Sequence, residues 1–380
     1  MTTVAVIGAG LAGVVVAKAL DAMPGVNVTI FDKSRGMGGR MSTRRSETHS
    51  FDHGVPFFTA RDPEFVDFLQ TYIASGQLAD WRPQVVTLAL GENAYRRMWY
   101  EPHYIGVPQM NSLAKAVAAD LEVIRGVEIK QISGVPGNWR LDTQQGDSLG
   151  AFDWVVVATP AEQALRLLPA GSDTHSSAHS ESDSESKSES KSESSSEAIS
   201  ERVPENVNLQ DVQFDPCFSL MIALPVDYSM AARQPGHRTK QRRRFDVASV
   251  KNSPLKWLIF DQTRPGRHGA PALLAQTTGD WAAEHFDVPL ADVQQQLLDV
   301  IARLLGPAAL GPEPREVSLH RWRYAQVREA LGQPYMELAG QQLALCGDWC
   351  RDVEEGRRGV EAAYVSARAL ALRLKVALAL

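Results

Sequence analysis

Residues 3–32, TVAVIGAGLAGVVVAKALDAMPGVNVTIFD, decide the fold of this chain. The β-branched run Thr3–Ile7 predicts a buried strand, and the spacing of apolar residues over Leu11–Met23 predicts a helix that ends at Pro24-Gly25. Val26–Phe31 predicts a second strand. A strand, a helix and a strand in this order form a βαβ unit, and its parallel strands predict an open, doubly wound sheet.

The turn between the first strand and the helix carries a G-x-G-x-x-G motif formed by Gly8, Gly10 and Gly13. In this context the first glycine permits a tight turn, the second lets the backbone approach a pyrophosphate, and the third lets helix and strand pack closely. Asp32 ends the second strand, where its carboxylate can accept hydrogen bonds from the ribose of an adenosine and would repel the 2′-phosphate of NADP. The motif therefore predicts a dinucleotide site that includes Gly8, Gly10, Leu11, Ala12, Gly13, Asp32 and Lys33.

Length and composition are typical of a soluble globular protein: 380 residues, 44% of them hydrophobic and 22% charged. This length indicates two domains, or one large domain with an insertion. The formal net charge of −6 argues against a nucleic-acid-binding protein, which needs a broad basic face. Cys217, Cys346 and Cys350 indicate reduced thiols and a cytoplasmic location, and their spacing argues against a metal site.

Residues 171–202 form a serine- and glutamate-rich stretch without an aromatic residue. Such a stretch cannot bury enough apolar surface to offset its ordering entropy, so we expect a disordered insertion in a surface connection. A regulatory phosphorylation tract is the alternative interpretation. The stretch carries eight acidic and three basic residues, a net charge of −5, so −6 minus −5 leaves −1 for the rest of the chain.

Neither end of the chain has the pattern of a membrane segment. The apolar run Val4–Leu20 contains three glycines and lacks the basic region and cleavage site of a signal peptide. The C-terminal run Val360–Leu380 carries four charged residues, so we expect a helix that packs on the core through one face.

Strands typical of a nucleotide-binding sheet recur far along the chain, at Trp154–Ala158 and Gln342–Cys346. Between them lie other predicted elements: a hairpin of Val85–Leu90 and Tyr95–Tyr100, strand-rich blocks at Phe214–Leu224 and Lys256–Thr278, and a helix at Leu290–Leu305. The predicted fold class is therefore α/β, a Rossmann-like doubly wound sheet interrupted by a second, α+β domain with an antiparallel sheet. The first domain would comprise residues 1–60, 106–165 and 335–380, and the second residues 61–105 and 203–334.

The residues after Asp32 indicate which dinucleotide binds. The run Lys33-Ser34-Arg35-Gly36-Met37-Gly38-Gly39-Arg40-Met41 resembles the amine oxidase and renalase-like flavoproteins, in which a strand-end acid precedes a glycine-glycine-arginine turn. The resemblance implies FAD, with Gly39 and Arg40 holding its pyrophosphate from the other side. It also implies that Gly347-Asp348 meets the ribityl chain and that the helix starting near Val360 directs its N-terminus at the flavin. The first domain would then bind FAD and the second the substrate.

A closer resemblance, to the renalase-like subfamily, rests on blocks that keep their order over nearly the whole chain. They are Phe31–Arg40, Phe57–Asp62, Ser253–Leu258, Arg264–Arg267, His320–Ala325 and Cys346–Cys350. This resemblance implies an enzyme that takes hydride from misreduced isomers of NAD(P)H and gives the electrons to oxygen, with hydrogen peroxide as product. A small-molecule substrate and oxygen are then the expected partners, without nucleic acid or membrane.

The sequence departs from that pattern where the substrate should meet the flavin. Val55-Pro56 replaces the Ala-Gln of the family, and Gln276 replaces a histidine. Pro56, Gln276 and Trp322 are therefore the candidate residues of the substrate face, and no general base can be assigned.

Two alternatives to the dihydronicotinamide reading stay open: an amine oxidase or dehydrogenase of the flavin amine oxidase class, and a non-catalytic FAD-binding protein. The dinucleotide reading is favoured by four arginines in the second domain, which suit a diphosphate-bearing ligand: Arg264, Arg267, Arg321 and Arg323. An amine oxidase is expected to use an aromatic cage beside the flavin, for which the sequence offers only Tyr364 on the last helix.

Overall fold

The computed structural model describes residues 1–47, 49–169, 175–176, 207–225, 245–306, 310, 316–350 and 358–379. The insertion expected at 171–202 lies outside these residues, apart from His175–Ser176, whose backbone pairs with Val207–Asn208 in a two-stranded antiparallel ladder.

The described part of the chain alternates strands and helices. Its strands are β1 (Thr2–Ile7), β2 (Val26–Asp32), β3 (Arg44–Arg45), β4 (Ser50–Phe51), β5 (Leu78–Trp81), β6 (Val85–Ala89), β7 (Tyr95–Arg97), β8 (His103–Gly106), β9 (Glu122–Arg125), β10 (Ile129–Val135), β11 (Asn138–Thr143), β12 (Ser148–Phe152), β13 (Trp154–Val157), β14 (His175–Ser176), β15 (Val207–Asn208), β16 (Gln213–Ala223), β17 (Val247–Lys251), β18 (Leu255–Phe260), β19 (Ala272–Thr277), β20 (Val317–Glu329), β21 (Met336–Leu338) and β22 (Leu343–Leu345). Its α-helices are α1 (Leu11–Asp21), α2 (Pro63–Ala74), α3 (Ser112–Val117), α4 (Ala161–Leu167), α5 (Gly279–Glu284), α6 (Leu290–Leu305) and α7 (Val360–Leu378).

The predicted βαβ unit is present, and β1 and β2 are parallel. Helix α1 ends at Asp21, two residues before the predicted end at Met23. A hydrogen bond from the Met23 N–H to the Leu20 carbonyl and the positive φ of Gly25, +79°, fold the chain into a turn there.

The βαβ unit is the centre of a sheet with the order β21-β22-β13-β1-β2-β9, which we call the parallel sheet because only β21 among its described strands runs antiparallel to its neighbour. Alternate residues of β1 are buried on opposite faces. Val4 and Val6 join the core formed with α1 and α7, whereas Ala5 and Ile7 join the core formed with α4 and the antiparallel sheet β10-β11-β12. Burial on both faces explains why these strands are almost continuously apolar.

The second sheet has the order β20-β16-β19-β18-β17-β6-β7 and is antiparallel except for the β17–β6 pair; we call it the mixed sheet. Its outer face packs on α5 and α6 through a core that includes Phe218, Leu220 and Leu297. Its inner face carries Ser219, which is paired across the ladder with Gln276 on one side and His320 on the other. The predicted α/β fold class with a second, largely antiparallel sheet is confirmed.

The sheets follow the discontinuous pattern of the chain. Strands of the parallel sheet lie within 1–60, 106–165 and 335–380, and strands of the mixed sheet lie within 61–105 and 203–334. Helix α2, in the second set of ranges, packs against α7 of the first through Phe65 and Tyr364, whose ring centroids are 4.7 Å apart. The exact domain bounds remain a prediction. None of the helices in the described ranges combines the length and the apolar composition that a membrane span requires.

The close packing of the glycine turn gives a test of the fold. A Cβ atom built on Gly13 would lie 1.9 Å from the carbonyl oxygen of Gly8, whereas one built on Gly10 meets no atom within 4 Å. We therefore expect Gly13→Ala to lower the free energy of unfolding by about 1–3 kcal/mol, because the helix must move away from the strand.

Gly10→Ala is the matched control, and it should change the free energy of unfolding of the apoprotein by less than about 1 kcal/mol. Chemical denaturation of both apoproteins checks the difference. Equal destabilisation by the two substitutions would contradict the packing described here.

Candidate functional site

The start of α1 presents backbone donors to an open space. Gly10 is the N-cap residue, and no side chain caps the helix. In an α-helix the first N–H groups, here those of Leu11 and Ala12, have no intrahelical acceptor. Because the Cβ position of Gly10 is open, an anionic group can approach this backbone closely. Leu11 and Ala12 thus lie as a dinucleotide site requires.

A second turn meets the glycine turn backbone to backbone. The Gly38 N–H donates to the carbonyl of Ala9 over 2.9 Å, and a Cβ atom on Gly39 would lie 3.3 Å from Cα of Gly10. Gly39 has a φ of +53°, which glycine adopts without strain. The two turns therefore form one continuous backbone surface, as the glycine-glycine-arginine resemblance implies.

Asp32 joins this surface from the end of β2. Its carboxylate accepts from the Ala9 N–H and the Ser34 N–H, each over 2.7 Å, and the residue is 9% exposed. Asp32 therefore fixes the glycine turn as well, a role that the sequence did not reveal. The neighbouring Lys33 directs its ammonium group to Glu128, 3.8 Å away on the surface.

Arg40 and Asp348, 308 residues apart in sequence, form a bidentate ion pair with N–O distances of 2.7 and 2.5 Å. Asp348 has a side chain only 2% exposed, whereas that of Arg40 is 26% exposed. The adjacent Gly347 N–H donates to the Ser366 hydroxyl on α7 over 3.0 Å, which fixes the segment that carries Asp348. The structure thus brings together Arg40, which the resemblance assigned to the FAD pyrophosphate, and Asp348, which it assigned to the ribityl chain.

The N-terminus of α7 holds an acid that sequence reasoning missed. Val360 is buried in the first turn, and the next residue, Glu361, is 3% exposed. The Glu361 carboxylate accepts from the backbone N–H groups of Arg61 and Asp62, both over 2.6 Å, so it joins the start of α7 to the start of α2. An acid in the first turn of a helix was the available signal.

Residues 52–56, which we call the 52–56 loop, run between the glycine-rich turns and the inner face of the mixed sheet. The Trp322 indole donates to the His53 carbonyl over 3.0 Å. The Gln276 amide donates to the Gly54 carbonyl over 2.6 Å. The place of Gln276 and Trp322 on the substrate face stays a prediction; in the structure the Gln276 amide and the Trp322 indole N–H both donate to this loop.

The other end of the loop is held from two sides. The Val55 N–H donates to the Arg40 carbonyl over 2.8 Å, and the Pro56 carbonyl accepts from Arg264 over 2.9 Å. The 52–56 loop therefore connects the residues around Arg40 with the mixed sheet, and Pro56, the third substrate-face candidate, is part of that connection.

The arginines of the second domain do not form the open anion site that their density predicts. Arg264 and Arg267 are buried and both donate to the carboxylate of Asp52. Burial by itself raises the pKa of Asp52, but the two guanidinium groups outweigh it and hold the pKa below its usual range, so Asp52 is ionised at neutral pH. A buried guanidinium that already donates to a carboxylate is poorly placed to bind a diphosphate.

Arg321 and Arg323 remain near the surface, where their guanidinium groups lie over the ring of Phe286 at 4.7 and 4.4 Å from its centroid. Both lie in the middle of β20, on the face of the strand opposite His320 and Trp322. The four arginines therefore divide between two surroundings: Arg264 and Arg267 pair with Asp52, whereas Arg321 and Arg323 lie over Phe286.

Two histidines pack beside Trp322. The rings of His53 and His320 meet edge to face with centroids 4.9 Å apart, and the His53 and Trp322 centroids lie 5.1 Å apart. Burial, and next the neighbouring His320, lower the pKa of His53 to about 4. Burial followed by the charge of Arg44 lowers the pKa of His320 as well. Both imidazoles are therefore neutral at physiological pH.

An aromatic group follows the 52–56 loop along the same side of the mixed sheet, and it was not evident from the sequence. Phe57 contacts Trp99, His103 and Trp257, with centroid distances of 4.9, 5.3 and 5.5 Å. Trp99 stacks on His103 at 3.8 Å. Trp257 is the cross-strand neighbour of Gln276, which places the group next to the 52–56 loop. We call these four residues the aromatic group.

Tyr364, the aromatic residue that the sequence offered for an amine cage, lies elsewhere. It packs against Phe65 and Phe68 of α2, each with a centroid distance of 4.7 Å, and is 6% exposed. The aromatic residues near the candidate site come instead from segments around positions 57, 99 and 257.

These features fit a dinucleotide cofactor with a diphosphate and an extended polyol. The diphosphate could approach the open backbone at Gly10 and accept hydrogen bonds from the N–H groups at the start of α1. The exposed edge of the Arg40 guanidinium could donate to it as well. The Asp32 and Asp348 carboxylates can accept from hydroxyl groups. Within the described ranges no group of three or more histidine, cysteine or acidic residues has the arrangement of a metal site.

Two family models match the chain. One, described as an NAD(P)-binding Rossmann-like domain, matches residues 6–72. The other, described as flavin containing amine oxidoreductase, matches residues 77–374, which is more than half of the chain.

Solved structures with similar folds point the same way. A protein assigned as a protoporphyrinogen oxidase from an Exiguobacterium species superposes with a TM-score of 0.65 at 13% identity, over 99% of each chain. A putrescine oxidase bound to putrescine superposes with a TM-score of 0.64 at 12% identity, also over 99% of each chain. At these identities the likeness shows the fold alone.

The low pKa of His53 predicts how stability depends on pH. Because the folded-state pKa of about 4 lies below the unfolded value of 6.5, the unfolded chain binds the proton more tightly. The contribution of neutral His53 to the free energy of unfolding is therefore complete above pH 6.5. It decreases by up to about 3 kcal/mol as the pH falls towards 4.

We expect His53→Gln to reduce the loss of unfolding free energy between pH 6.5 and pH 4, measured by urea denaturation across that range. His268, an exposed histidine, gives the matched control, and His268→Gln should leave the slope unchanged. A His53→Gln profile parallel to that of the unsubstituted protein would show that His53 titrates normally.

Proposed function

The chain belongs to the family of flavin containing amine oxidoreductases, and on that premise we propose that it is an FAD-dependent enzyme that takes hydride from a carbon bonded to nitrogen in a small substrate and passes the electrons to oxygen. The observation that supports this most is the meeting of three distant segments at one place: the glycine turn, the Gly38–Arg40 turn and Asp348. The reduced cysteines support a cytoplasmic location as part of the same proposal.

FAD is the form of flavin that these residues suit. The N–H groups at the start of α1 and the Arg40 guanidinium would hold the diphosphate, and Asp32 would accept from the adenosine ribose. Asp348 would accept from the ribityl hydroxyls, and the N-terminus of α7 at Val360 would stabilise negative charge. Bound there, FAD supplies the hydride acceptor and the route of electrons to oxygen.

The residues of the chain would orient the substrate and exclude water. The 52–56 loop and the inner face of the mixed sheet form one wall, fixed by Gln276 and Trp322. The aromatic group extends that wall and offers an apolar surface for the donor. The imidazoles of His53 and His320, neutral at physiological pH, can accept a hydrogen bond from the substrate.

An amine is the donor that the structure favours. The aromatic group supplies the apolar surface that a neutral amine needs, and the sealed pairing of Arg264 and Arg267 with Asp52 removes two of the cations that would attract a diphosphate. The similarity in fold to a putrescine oxidase is in keeping with this choice.

A dihydronicotinamide dinucleotide is the second candidate, favoured by the ordered sequence blocks that resemble renalase-like enzymes. Both donors share the same chemistry: in the 2- and 6-dihydro isomers, as in an amine, the hydride leaves a carbon bonded to nitrogen. The nitrogen lone pair then stabilises the cation that forms.

Anaerobic stopped-flow reduction of the bound flavin tests the proposal. The panel comprises monoamines, putrescine and longer polyamines, the 2-, 4- and 6-dihydro isomers of NAD(P)H, and 2-hydroxy acids as donors that lack the nitrogen. We expect an amine to bleach the flavin at least about tenfold faster than any dinucleotide, and admission of oxygen to yield hydrogen peroxide.

If a dihydronicotinamide isomer reduces the flavin faster than any amine does, the dinucleotide and not the amine is the donor. Reduction by 2-hydroxy acids alone would contradict the proposed chemistry, and a flavin that no donor in the panel reduces would favour a non-catalytic FAD-binding protein.

A further inference from the structure

We propose that Arg264 is a positioning residue that bridges the two ends of the 52–56 loop and thereby holds the wall of the candidate site in place. The inference rests on the proposed function, since the loop forms a wall of a redox site only if the flavin binds beside Arg40. The family match assigns no role to this arginine, and the diphosphate ligand that the sequence indicated for it is disfavoured by its buried pairing with Asp52.

The bridging geometry is direct. Arg264 Nη1 donates to Oδ2 of Asp52 over 2.7 Å, at the start of the loop, and Nη2 donates to the carbonyl of Pro56 over 2.9 Å, at its end. The side chains of Arg264 and Asp52 are 2% and 1% exposed. The guanidinium also lies over the ring of Trp81, with 5.0 Å from Cζ to the centroid. One rigid, planar group thus sets the distance between the two ends of the loop.

The residues between those ends make the contacts that matter for the site. His53 and Gly54 present their carbonyls to Trp322 and Gln276, and Val55 donates to the carbonyl of Arg40. If the ends of the loop separate, these three contacts with the mixed sheet and the Gly38–Arg40 turn must change together. Arg264 therefore acts on the site without lining it.

Asp52 is fixed independently of Arg264, which makes it a firm anchor. Its Oδ1 accepts from the Thr43 hydroxyl over 2.6 Å and from the Met110 N–H over 3.0 Å. Hydrogen bonds to an ionised carboxylate are stronger than hydrogen bonds to a neutral acceptor, so these donors hold Asp52 firmly.

The plain alternative is a buried ion pair that stabilises the fold and does nothing for the loop. Arg267 distinguishes the two roles, because it also donates to Asp52 and lies in the same cluster, yet its other contacts are with Ser50 and Asp261 and do not include Pro56. Arg267→Lys is therefore the matched control for Arg264→Lys. Both substitutions keep the positive charge, but only Arg264→Lys removes the bridge between Asp52 and the Pro56 carbonyl.

The indole N–H of Trp322 reports the position of the loop, because it donates to the His53 carbonyl. Hydrogen exchange of the tryptophan indoles, followed by NMR on the ¹⁵N-labelled, flavin-loaded protein, measures how often that bond opens. The indoles of Trp139 and Trp349 serve as internal references. Each donates a hydrogen bond of 2.9 Å to a backbone carbonyl that does not belong to the loop. Trp322→Phe assigns the resonance.

Arg264→Lys should raise the exchange rate of the Trp322 indole at least about tenfold, while the reference indoles and the Trp322 indole in Arg267→Lys change by less than about threefold. Equal effects of the two substitutions, or no change in Arg264→Lys, would overturn the proposal in favour of a merely structural pair. The readout does not depend on turnover, so a protein that reduces no donor in the panel would refute the proposed function and leave this result standing.

A second variant, with both partners of the ion pair replaced by neutral residues, keeps the proposal testable if Arg264→Lys alone fails to fold. Asp52→Asn combined with Arg264→Gln removes one charge of each sign, so the net charge of the cluster is unchanged, and Arg267 keeps Asp261 as its charged neighbour, 3.9 Å away. The double variant should show the same selective rise at Trp322. Loss of the native indole spectrum in both Arg264→Lys and the double variant would overturn the proposal, because it would assign the pair to folding.

Discussion

The backbone contact between the glycine turn and the Gly38–Gly39 turn fixes where Arg40 and its partners lie. It requires the Gly38 N–H to reach the Ala9 carbonyl, and it requires Gly39 to lie against Gly10 without a side chain between them. Arg40 follows directly, so this contact places its guanidinium beside Asp348 and its carbonyl beside the 52–56 loop. The two sheets meet around that position.

The parts of the site that could be predicted from the sequence are those that local backbone geometry determines. Gly8, Gly10 and Gly13 lie between a predicted strand and a predicted helix, the context that gives their spacing its meaning, and Asp32 ends the next strand where the ribose would lie. Asp348 has no such local signature; its assignment depended on resemblance, and the structure places it against Arg40. Helix ends were predicted less well, as at Asp21, because a turn bond and a glycine decide them.

Side-chain partners that come from distant segments could not be predicted. The arginines at 264 and 267 look like an anion site in sequence, because nothing nearby indicates that both pair with Asp52, more than two hundred residues earlier. The aromatic group is hidden for the same reason, since Phe57, Trp99 and Trp257 belong to separate strands and loops. Charge and aromaticity show their function only when burial and partners are known.

In the proposed complex, the two turns and Asp32 hold the adenosine diphosphate part of FAD. Calorimetric titration of the apoprotein with FAD and with FMN, which shares the flavin and ribityl phosphate but lacks the adenosine half, tests it most directly. We expect FAD to bind at least about a hundredfold more tightly than FMN, a difference of roughly 2.7 kcal/mol or more. Equal affinities for FAD and FMN would contradict it.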